Sequence, residues 1–303
     1  MMEIKFNVPL AKYTSYKVGG CAKIYFKPKN LPELSQFMQE LPLTENIFWL
    51  GLGSNVLIRD GGFDGAVIHT HNVLNDIKII EKTDAGMLIK VAAGVSCAKF
   101  AKFCVQHNLI DGIWFAGIPG TMGGALRMNA GAFGGETWRH VVSVDVIDRQ
   151  GKIFNQLPEN YKIDYRCVIN LKNQINEWFV AGVLFFKFAE DSLGEGVDNN
   201  LQEKINLLLQ QRKLTQPIGT LNCGSVFKNP ANNWAGKLIE TAQLKGKKLG
   251  GAIVSEKHAN FIINCGTATA NDIEQLINLI QTEVLDTHKI WLEPEVKIIG
   301  KSK

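Results

Sequence analysis

The sequence predicts an α+β fold with more than one domain. The first part of the chain, up to about Thr70, consists of short apolar strands separated by glycine turns, with one capped helix. From Leu201 onward, amphipathic helices alternate with short strands instead. A chain of 303 residues also exceeds the usual size of one compact domain, so we expect two or three domains.

Composition and charge exclude several classes of protein. Apolar residues make up 46% of the chain and charged residues 20%, which is typical of a globular protein and not of a disordered one. The net charge of +4 is small and scattered, so we expect no nucleic-acid or membrane partner. No apolar run reaches the roughly 18 residues of a spanning helix, and the N-terminus does not look like a signal peptide. We therefore expect a soluble, cytoplasmic monomer.

The first half of the chain gives clear signals for individual elements. Asn30 begins a helix that extends to Glu40, and Ser96 caps a second helix that carries Phe100, Phe103 and Cys104 on one face. Three strands are predicted by alternation or by apolar runs: Gly86–Gly94, Val141–Asp148 and Trp178–Phe188. The segment Gly112–Gly135 is so rich in Gly, Ala and Asn that we expect a long ordered loop.

A connector separates this half from a second unit. Asp191–Asn200 has the composition of a linker, and an amphipathic helix follows with Leu201, Ile205, Leu208 and Leu209 on its apolar face. The later predictions are a helix at Trp234–Ala242, strands at Ala252–Val254 and Phe261–Asn264, a long helix with Ile273, Leu276, Ile277, Ile280 and Val284 inside, and a last strand at Ile290–Ile299. The expected domains are residues 1–195, with subdomains of about 1–70 and 71–195, and residues 196–303.

Two glycine-rich motifs could bind a ligand through the main chain. Gly51-Leu52-Gly53-Ser54-Asn55 follows an apolar strand, as a phosphate-binding turn does, but Val56 stands where a Rossmann fingerprint needs its third glycine. The second motif runs from Gly117 to Gly124 and continues with Asn129-Ala130-Gly131-Ala132. Consecutive small residues expose backbone N–H groups to an anion or a flat cofactor. The alternatives are an ordinary turn and a tight crossing of chains.

Three further segments place reactive groups close together. Asn222-Cys223-Gly224-Ser225-Val226-Phe227-Lys228-Asn229-Pro230 contains a hydroxyl, an ammonium and an amide, but it lacks the GxSxG elbow of a serine hydrolase, and a turn serine is the alternative. Tyr165 and Arg166 follow Asp164. Glu293 and Glu295 are expected on one face of the last strand. The six cysteines have no metal-ligand spacing, so we expect no metal.

In this order, the segments resemble the UDP-N-acetylenolpyruvoylglucosamine reductases, also called UDP-N-acetylmuramate dehydrogenases. The resemblance covers nearly the whole chain: TSYKVGG, GLGSNVLIRDGGFDGAVI, GIPGTMGGALRMNAGAFG, the Tyr165-Arg166 pair, NCGSVFKNP, AGKLIE, VSEKHANFIIN and WLEPEV. The family implies an FAD-binding domain of the vanillyl-alcohol-oxidase and p-cresol-methylhydroxylase type, with noncovalent FAD. A C-terminal α/β substrate-binding domain follows in that family.

The resemblance also implies an activity and a set of site residues. NADPH would deliver hydride through FAD to UDP-N-acetylglucosamine-enolpyruvate, giving UDP-N-acetylmuramate for peptidoglycan synthesis and so for cell-wall biogenesis, cell shape and cell division. Arg166, Ser225 and Glu295 fall on the catalytic positions, and Tyr165, Lys213 and Asn229 on substrate-binding ones. The implied FAD contacts are Gly51, Gly53, Ser54, Asn55, Gly120, Thr121, Gly123, Gly124 and Asn129.

The chain departs from the family pattern in small ways. Cys167-Val168 follows the arginine, and Met122 and Phe133 replace valine and tyrosine in the second glycine motif. The stretch between Arg166 and Ser225 is too short for the tyrosine-bearing lid of some members, which indicates the lidless subclass. The competing interpretations are a flavin oxidase acting on another alcohol or sugar and a non-catalytic flavin or nucleotide-sugar binding module.

Overall fold

The computed structural model describes residues 2–172, 177–189 and 200–303. Apart from Asn200, the predicted connector and the expected domain boundary lie outside the described residues. The strands are β1 (Ile4–Pro9), β2 (Cys21–Phe26), β3 (Ile47–Leu50), β4 (Val56–Ile58), β5 (Phe63–His69), β6 (Ile77–Thr83), β7 (Gly86–Ala92), β8 (Gly131–Ala132), β9 (Gly135–Glu136), β10 (Val141–Ile147), β11 (Ile153–Gln156), β12 (Tyr161–Asp164), β13 (Cys167–Asn170), β14 (Trp178–Lys187), β15 (Lys248–Leu249), β16 (Ala252–Val254), β17 (Ile262–Asn264) and β18 (Lys297–Ile299). The α-helices are α1 (Leu31–Glu40), α2 (Cys97–Gln106), α3 (Met122–Arg127), α4 (Leu201–Thr215), α5 (Ala235–Thr241) and α6 (Ala270–His288).

The first sheet has the strand order β1-β2-β5-β3 and one covering helix, α1. The β1–β2 pair is antiparallel, and the other two pairs are parallel. The helix begins where the sequence predicts, because the Asn30 side chain accepts a hydrogen bond from the N–H of Glu33 at 2.9 Å. Its buried face carries Leu34, Phe37 and Met38. The Phe37 ring stacks on Phe26 of β2 with centroids 4.0 Å apart, so the helix closes the core of this sheet.

The second sheet is antiparallel, with the order β11-β10-β14-β7-β6. Its central strands agree with the predicted ones to within a few residues. Ser96 caps α2 by accepting from the N–H of Lys99 at 3.2 Å, as predicted. On the inner side of α2, the Phe100 ring packs against Phe115 and Phe186, with centroids 5.1 and 5.5 Å away. The largest apolar core of the described residues therefore lies between α2 and this sheet.

The predicted loop Gly112–Gly135 is wrong in part, because it contains helix α3 and the end of a 3-10 helix, Ile110–Gly117. In α3, Met122, Ala125 and Leu126 are buried, so packing outweighs the low helix propensity of the glycines. A Cβ atom on Gly123 would lie 2.9 Å from the Cβ of Ala93. The missing side chain thus lets α3 lie directly against the backbone that follows β7.

The second unit contains α5, α6 and the antiparallel sheet β15-β16-β17. The buried residues of α4, Leu201 and Ile205, belong instead to the core between α2 and the second sheet. Helix α6 has a full capping box, because Thr269 and Asp272 each accept a hydrogen bond from the other's backbone N–H. All five apolar residues predicted for its inner face are buried. In α4, Leu201 and Ile205 are buried as expected, but Leu209 is 39% exposed and lies off the packed face, so that part of the prediction is wrong. No helix in the described ranges is both long and apolar enough to cross a membrane.

The last strand is much shorter than predicted. Only Lys297–Ile299 forms β18, which pairs in parallel with β4. Pro294 cannot donate a ladder hydrogen bond, and the backbone bends at Val296. Glu293 and Glu295 therefore lie outside the strand that was predicted to carry them, and the Glu293 side chain is 68% exposed, whereas that of Glu295 is 16% exposed. Strand β18 nevertheless pairs with β4, the strand directly after the first glycine motif.

Candidate active site

One cavity of about 850 Å³ lies where the glycine motifs meet the second unit. This volume is near the upper end of the roughly 300–1,000 Å³ of ligand pockets. Most of the residues expected at the site line it. They are Gly51, Gly53, Ser54, Asn55, Gly120, Thr121, Gly123, Gly124, Tyr165, Arg166, Ser225, Asn229 and Glu295.

The first glycine motif lies close to its neighbours, and this requires glycine. Gly53 adopts a left-handed φ of 70°, and its carbonyl accepts from the N–H of Ser15 at 2.9 Å. A Cβ atom on Gly53 would lie 2.1 Å from the carbonyl oxygen of Tyr13. A Cβ atom on Gly51 would lie 2.5 Å from Oγ1 of Thr121, in the second motif. The two glycine motifs therefore touch each other at one end of the cavity.

The second glycine motif presents bare main chain to the cavity. A Cβ atom on Gly120 would meet only Ile118 and the hydroxyl of Ser54, at 3.6 and 3.7 Å. One on Gly124 would meet only Thr121 Oγ1, at 4.0 Å. Glycine is thus not needed here to avoid a clash within the chain. Open space in front of a glycine backbone is what the close approach of a flat or anionic ligand requires.

Two of the expected site residues lie outside the cavity lining. Asn129 is buried, and its side chain accepts from the N–H of Trp138 at 3.1 Å and donates to the carbonyl of Asp164 at 3.3 Å. Its own carbonyl accepts a hydrogen bond from the guanidinium of Arg166 at 3.3 Å. Asn129 therefore helps to fix the position of the arginine side chain. Lys213 is exposed on α4.

Arg166 occupies the two-residue turn of the β12–β13 hairpin in a left-handed conformation, with φ 55°. Its Nε donates to Oε1 of Glu295 at 2.9 Å, and its terminal nitrogens donate to the carbonyls of Asn129 and Gly131, both at 3.3 Å. The Tyr165 ring centroid lies 4.9 Å from the guanidinium carbon. An arginine strained and fixed in this way is typical of functional sites.

Glu295 lies opposite Arg166 with a largely buried side chain. Burial raises the pKa of Glu295 above its ordinary value, and the attraction of the Arg166 guanidinium lowers it only in part. Lys228 and Lys297 lower this pKa further, by smaller amounts. The carboxyl group therefore stays protonated to a higher pH than an exposed glutamate, and a protonated carboxyl can donate a hydrogen bond.

Ser225 lies in a loop that buried hydrogen bonds hold on both sides. The Asn260 side chain accepts from the N–H of Phe227 at 2.9 Å and donates to the Phe227 carbonyl at 2.8 Å. The Asn260 carbonyl accepts from the N–H of Val226 at 2.9 Å. On the other side, the Val226 carbonyl accepts from the N–H of Glu295 at 2.7 Å. These bonds keep the serine and the glutamate in a fixed register.

Several residues of this site were missed in the sequence. Asn260 lies within the segment VSEKHANFIIN, and nothing in the sequence of this segment indicates that its side chain fixes the serine loop. Polar residues of α4 and its C-cap also line the cavity: Gln211, Arg212, Thr215 and Gln216. Arg212 donates to Gln216 Oε1 at 2.7 Å and to the carbonyl of Gly117, and burial lowers the pKa of its guanidinium. The sequence signal for this pair is its spacing, because Arg212 and Gln216 are four residues apart at the end of a helix and so can contact each other.

Cys223 is a packed thiol that joins the two units. Its Sγ donates to the Val56 carbonyl at 3.4 Å, and burial raises the pKa of the thiol to about 12. The thiolate is therefore scarce near neutral pH, as expected for a structural cysteine. In the described ranges, no three His, Cys, Asp or Glu side chains are grouped closely enough to hold a metal ion.

Comparison with known proteins gives the family. One family model, the FAD binding domain, matches residues 22–156, and another, the C-terminal domain of UDP-N-acetylenolpyruvoylglucosamine reductase, matches residues 216–299. The chain is 49% identical over 315 residues to the UDP-N-acetylenolpyruvoylglucosamine reductase of Coxiella burnetii, covering 99% of this chain and 96% of that protein. The chain belongs to the UDP-N-acetylenolpyruvoylglucosamine reductase family.

Two further comparisons agree with this membership of the reductase family. The reductase of Legionella pneumophila is 49% identical over 296 residues, covering 97% of this chain and 93% of that protein. The crystal structure of the reductase from Thermus caldophilus superposes with a TM-score of 0.78 at 26% identity, covering 99% of this chain and 100% of that one. The predicted order, an FAD-binding domain followed by the family's C-terminal domain, is confirmed, and the protein is an FAD-dependent oxidoreductase.

Proposed function

We propose that this protein reduces the enolpyruvyl ether of UDP-N-acetylglucosamine-enolpyruvate, with bound FAD and with NADPH as the hydride donor. The product is UDP-N-acetylmuramate, a precursor of peptidoglycan. The observation that carries the proposal is the meeting of Arg166, Ser225 and Glu295 in the cavity that both glycine motifs line. These side chains come from distant parts of the chain, and each supplies a group that the reduction of an enolpyruvyl carboxylate needs.

The two glycine motifs fit FAD. Gly120 and Gly124 face open space, so a pyrophosphate can approach their main chain, and Ser54 offers a hydroxyl across from Gly120. Gly51, Gly53 and Thr121 shape the same end of the cavity. When bound, FAD supplies the hydride chemistry: it takes a hydride from NADPH and passes it to the vinyl carbon distal to the substrate carboxylate. The side chains of the protein have to control the charge and the proton.

Arg166 and Glu295 act on the carboxylate of the substrate. Hydride addition turns this group into an enolate, which carries more negative charge than the starting carboxylate. Arg166 is held by Asn129 and Gly131 before the substrate arrives, so its positive charge needs no reorganisation in the transition state. Burial raises the pKa of Glu295, and in its protonated form this carboxyl donates a hydrogen bond to the same oxygen atoms.

Ser225 supplies the proton that completes the reduction. A serine hydroxyl is a weak acid in water, but the enolate carbon is strongly basic, so a positioned hydroxyl suffices. Asn260 fixes the backbone on the C-terminal side of the serine, and Gly224 on its N-terminal side adopts a left-handed φ of 75°. The Asn260 hydrogen bonds thereby fix the backbone just after the serine, where proton transfer needs a defined distance.

Three further residues are assigned to substrate binding. Asn229 accepts from the N–H of Ala235 through Oδ1 at 3.1 Å, which fixes its amide at the cavity wall. Tyr165 places its ring beside Arg166. Lys213 is assigned to the diphosphate, because a lysine ammonium binds phosphate as a point charge. We also assign the protein to the cytoplasm as a monomer without a nucleic-acid partner, in keeping with its small net charge of +4.

The spectrum of the purified protein tests this function. The protein should be yellow, lose its absorbance near 450 nm (a value for flavins in general) on anaerobic addition of NADPH, and regain it when the enolpyruvyl nucleotide sugar is added. Acid precipitation should release all the flavin into the supernatant, because the binding is noncovalent. A protein that takes up no FAD would contradict the proposal. Reoxidation by small alcohols or sugars instead of the nucleotide sugar would favour a flavin oxidase.

A further inference from the structure

Asn55 makes its hydrogen bonds to the C-terminal segment of the chain. Its side-chain Nδ2 donates to the carbonyl of Glu295 at 3.2 Å. Its own carbonyl accepts from the N–H of Lys297 at 3.1 Å. The next residue, Val56, is already paired with Lys297 in the β4–β18 ladder. Asn55 thus extends this ladder by one residue and reaches the backbone of the glutamate proposed to contact the substrate.

Both polar groups of the Glu295 backbone are consequently held. The N–H donates to the carbonyl of Val226, next to Ser225, and the C=O accepts from Asn55, next to Ser54. Two loops therefore fix the backbone of Glu295: the first glycine motif through Asn55 and the serine loop through Val226. Because the carboxyl group extends from this backbone to Arg166, a shift of the backbone would move the carboxyl relative to the arginine.

The neighbouring Ser54 differs from Asn55 in where its side chain lies. Its hydroxyl oxygen would be 3.7 Å from a Cβ atom on Gly120, so it faces the bare main chain of the second glycine motif. The amide of Asn55 donates one hydrogen bond to the opposite partner, the Glu295 carbonyl. The two adjacent side chains thus point to different parts of the cavity wall: Ser54 to Gly120 and Asn55 to the backbone of Glu295.

We infer that Asn55 is a positioning residue for Glu295, acting through the hydrogen bond from its side-chain amide to the Glu295 carbonyl. This inference rests on the proposed function, in which Glu295 stabilises the enolate. Without the amide donor, the Glu295 carbonyl loses its partner and the carboxyl is less well placed. Reduction of the flavin by NADPH does not involve Glu295, so the loss should appear only in the reaction with the substrate.

The test separates the two half-reactions in the full-length protein loaded with FAD. For Asn55→Ala, reoxidation of the reduced flavin by the enolpyruvyl substrate should slow about 10- to 100-fold, as expected for a misplaced group. Its dissociation constant for FAD and its rate of reduction by NADPH should stay within about twofold of the wild-type values. Asn55→Leu keeps a similar size and removes the donor without adding a charge, and it should likewise slow reoxidation while sparing FAD binding and reduction by NADPH. It also provides a second variant if the alanine protein does not fold.

Two matched variants serve as controls. Ser54→Ala should weaken FAD binding, because its hydroxyl faces the second glycine motif. Asn46 also donates from its amide to a backbone carbonyl, that of Asp64 at 3.3 Å, but it is exposed. Asn46→Ala should therefore change neither half-reaction. A weaker affinity for FAD in Asn55→Ala, with normal reoxidation at saturating FAD, would overturn the inference and make Asn55 a cofactor contact.

Combining Asn55→Ala with Glu295→Ala distinguishes a failure of this inference from a failure of the proposed function. If Glu295 carries the effect, Asn55→Ala should slow reoxidation much less in the Glu295→Ala background than in the wild type. Fully additive effects would overturn the positioning role. If Glu295→Ala alone left reoxidation unchanged, the proposed role of Glu295 would fail instead, whatever Asn55 does.

Discussion

Oε1 of Glu295 lies 2.9 Å from Nε of Arg166, although the two residues are 129 positions apart in the chain. Arg166 comes from a hairpin turn between β11 and β14 of the second sheet, whereas Glu295 comes from the segment that leads into β18. The glutamate side chain is mostly buried, and its pKa is raised in spite of this contact. The pair therefore places a fixed positive charge beside a carboxyl group that keeps its proton to a higher pH than an exposed glutamate does.

The raised pKa of Glu295 predicts a pH dependence for the second half-reaction. A raised pKa means that the carboxyl is protonated below it and becomes a carboxylate as the pH rises through it. The donor to the enolate is then lost, so reoxidation by the substrate should slow with rising pH. Glu295→Gln has an amide donor at every pH, and rapid mixing at a series of pH values should show this decrease removed. An unchanged decrease in Glu295→Gln would assign it to another group.

Lys213→Ala is expected to weaken substrate binding and to spare the chemistry. A point charge on the diphosphate acts equally in the ground state and the transition state, so KM should rise about tenfold or more while kcat changes little. Lys204 lies nine residues earlier on α4 and so on the opposite face of the helix. Steady-state kinetics of Lys204→Ala provide the control, with both constants unchanged. A normal KM with a reduced kcat in Lys213→Ala would give this lysine a role in the reaction.

Thr269→Ala should destabilise the second unit. Thr269 is the N-cap of α6, and its Oγ1 accepts from the N–H of Asp272 at 3.0 Å. Loss of such a cap costs about 0.5–2 kcal/mol in the free energy of unfolding. On the same helix, Thr282 is exposed and donates only to the carbonyl of Asn278. Urea unfolding of Thr282→Ala should differ from the wild type by less than about 0.5 kcal/mol. Equal losses in the two variants would argue against the cap.

Local patterns in the sequence predicted the elements whose stability is local. The inner face of α6 follows from its apolar spacing, and the starts of α1 and α2 follow from Asn30 and Ser96. Helix α3 could not be predicted in this way, because its two glycines disfavour a helix in isolation and the packing of Gly123 against Ala93 is a tertiary contact. The late start of β18 at Lys297 likewise depends on tertiary pairing, here with β4.

The site could be predicted as a set of residues but not as an arrangement. The resemblance pointed to Arg166, Ser225 and Glu295, and all three line one cavity. The contributions of Asn260 and Asn55 could not be found, because both act through backbone groups far away in sequence. Asparagine in a loop has no periodicity that would reveal such a partner. The proposed roles of these residues follow from the fold.

The half-reactions of Ser225→Ala test the central claim most directly. Reduction of the flavin by NADPH does not need the serine, so this rate should stay near that of the wild type. Reoxidation by the enolpyruvyl substrate should slow by about 10² to 10⁴, the contribution of a positioned acid. Ser225→Cys should recover part of this rate, since a thiol can also donate a proton. Rapid-mixing absorbance of the flavin measures each step separately. Equal slowing of both half-reactions in Ser225→Ala would contradict the account, because the serine would then shape the site without acting as its acid.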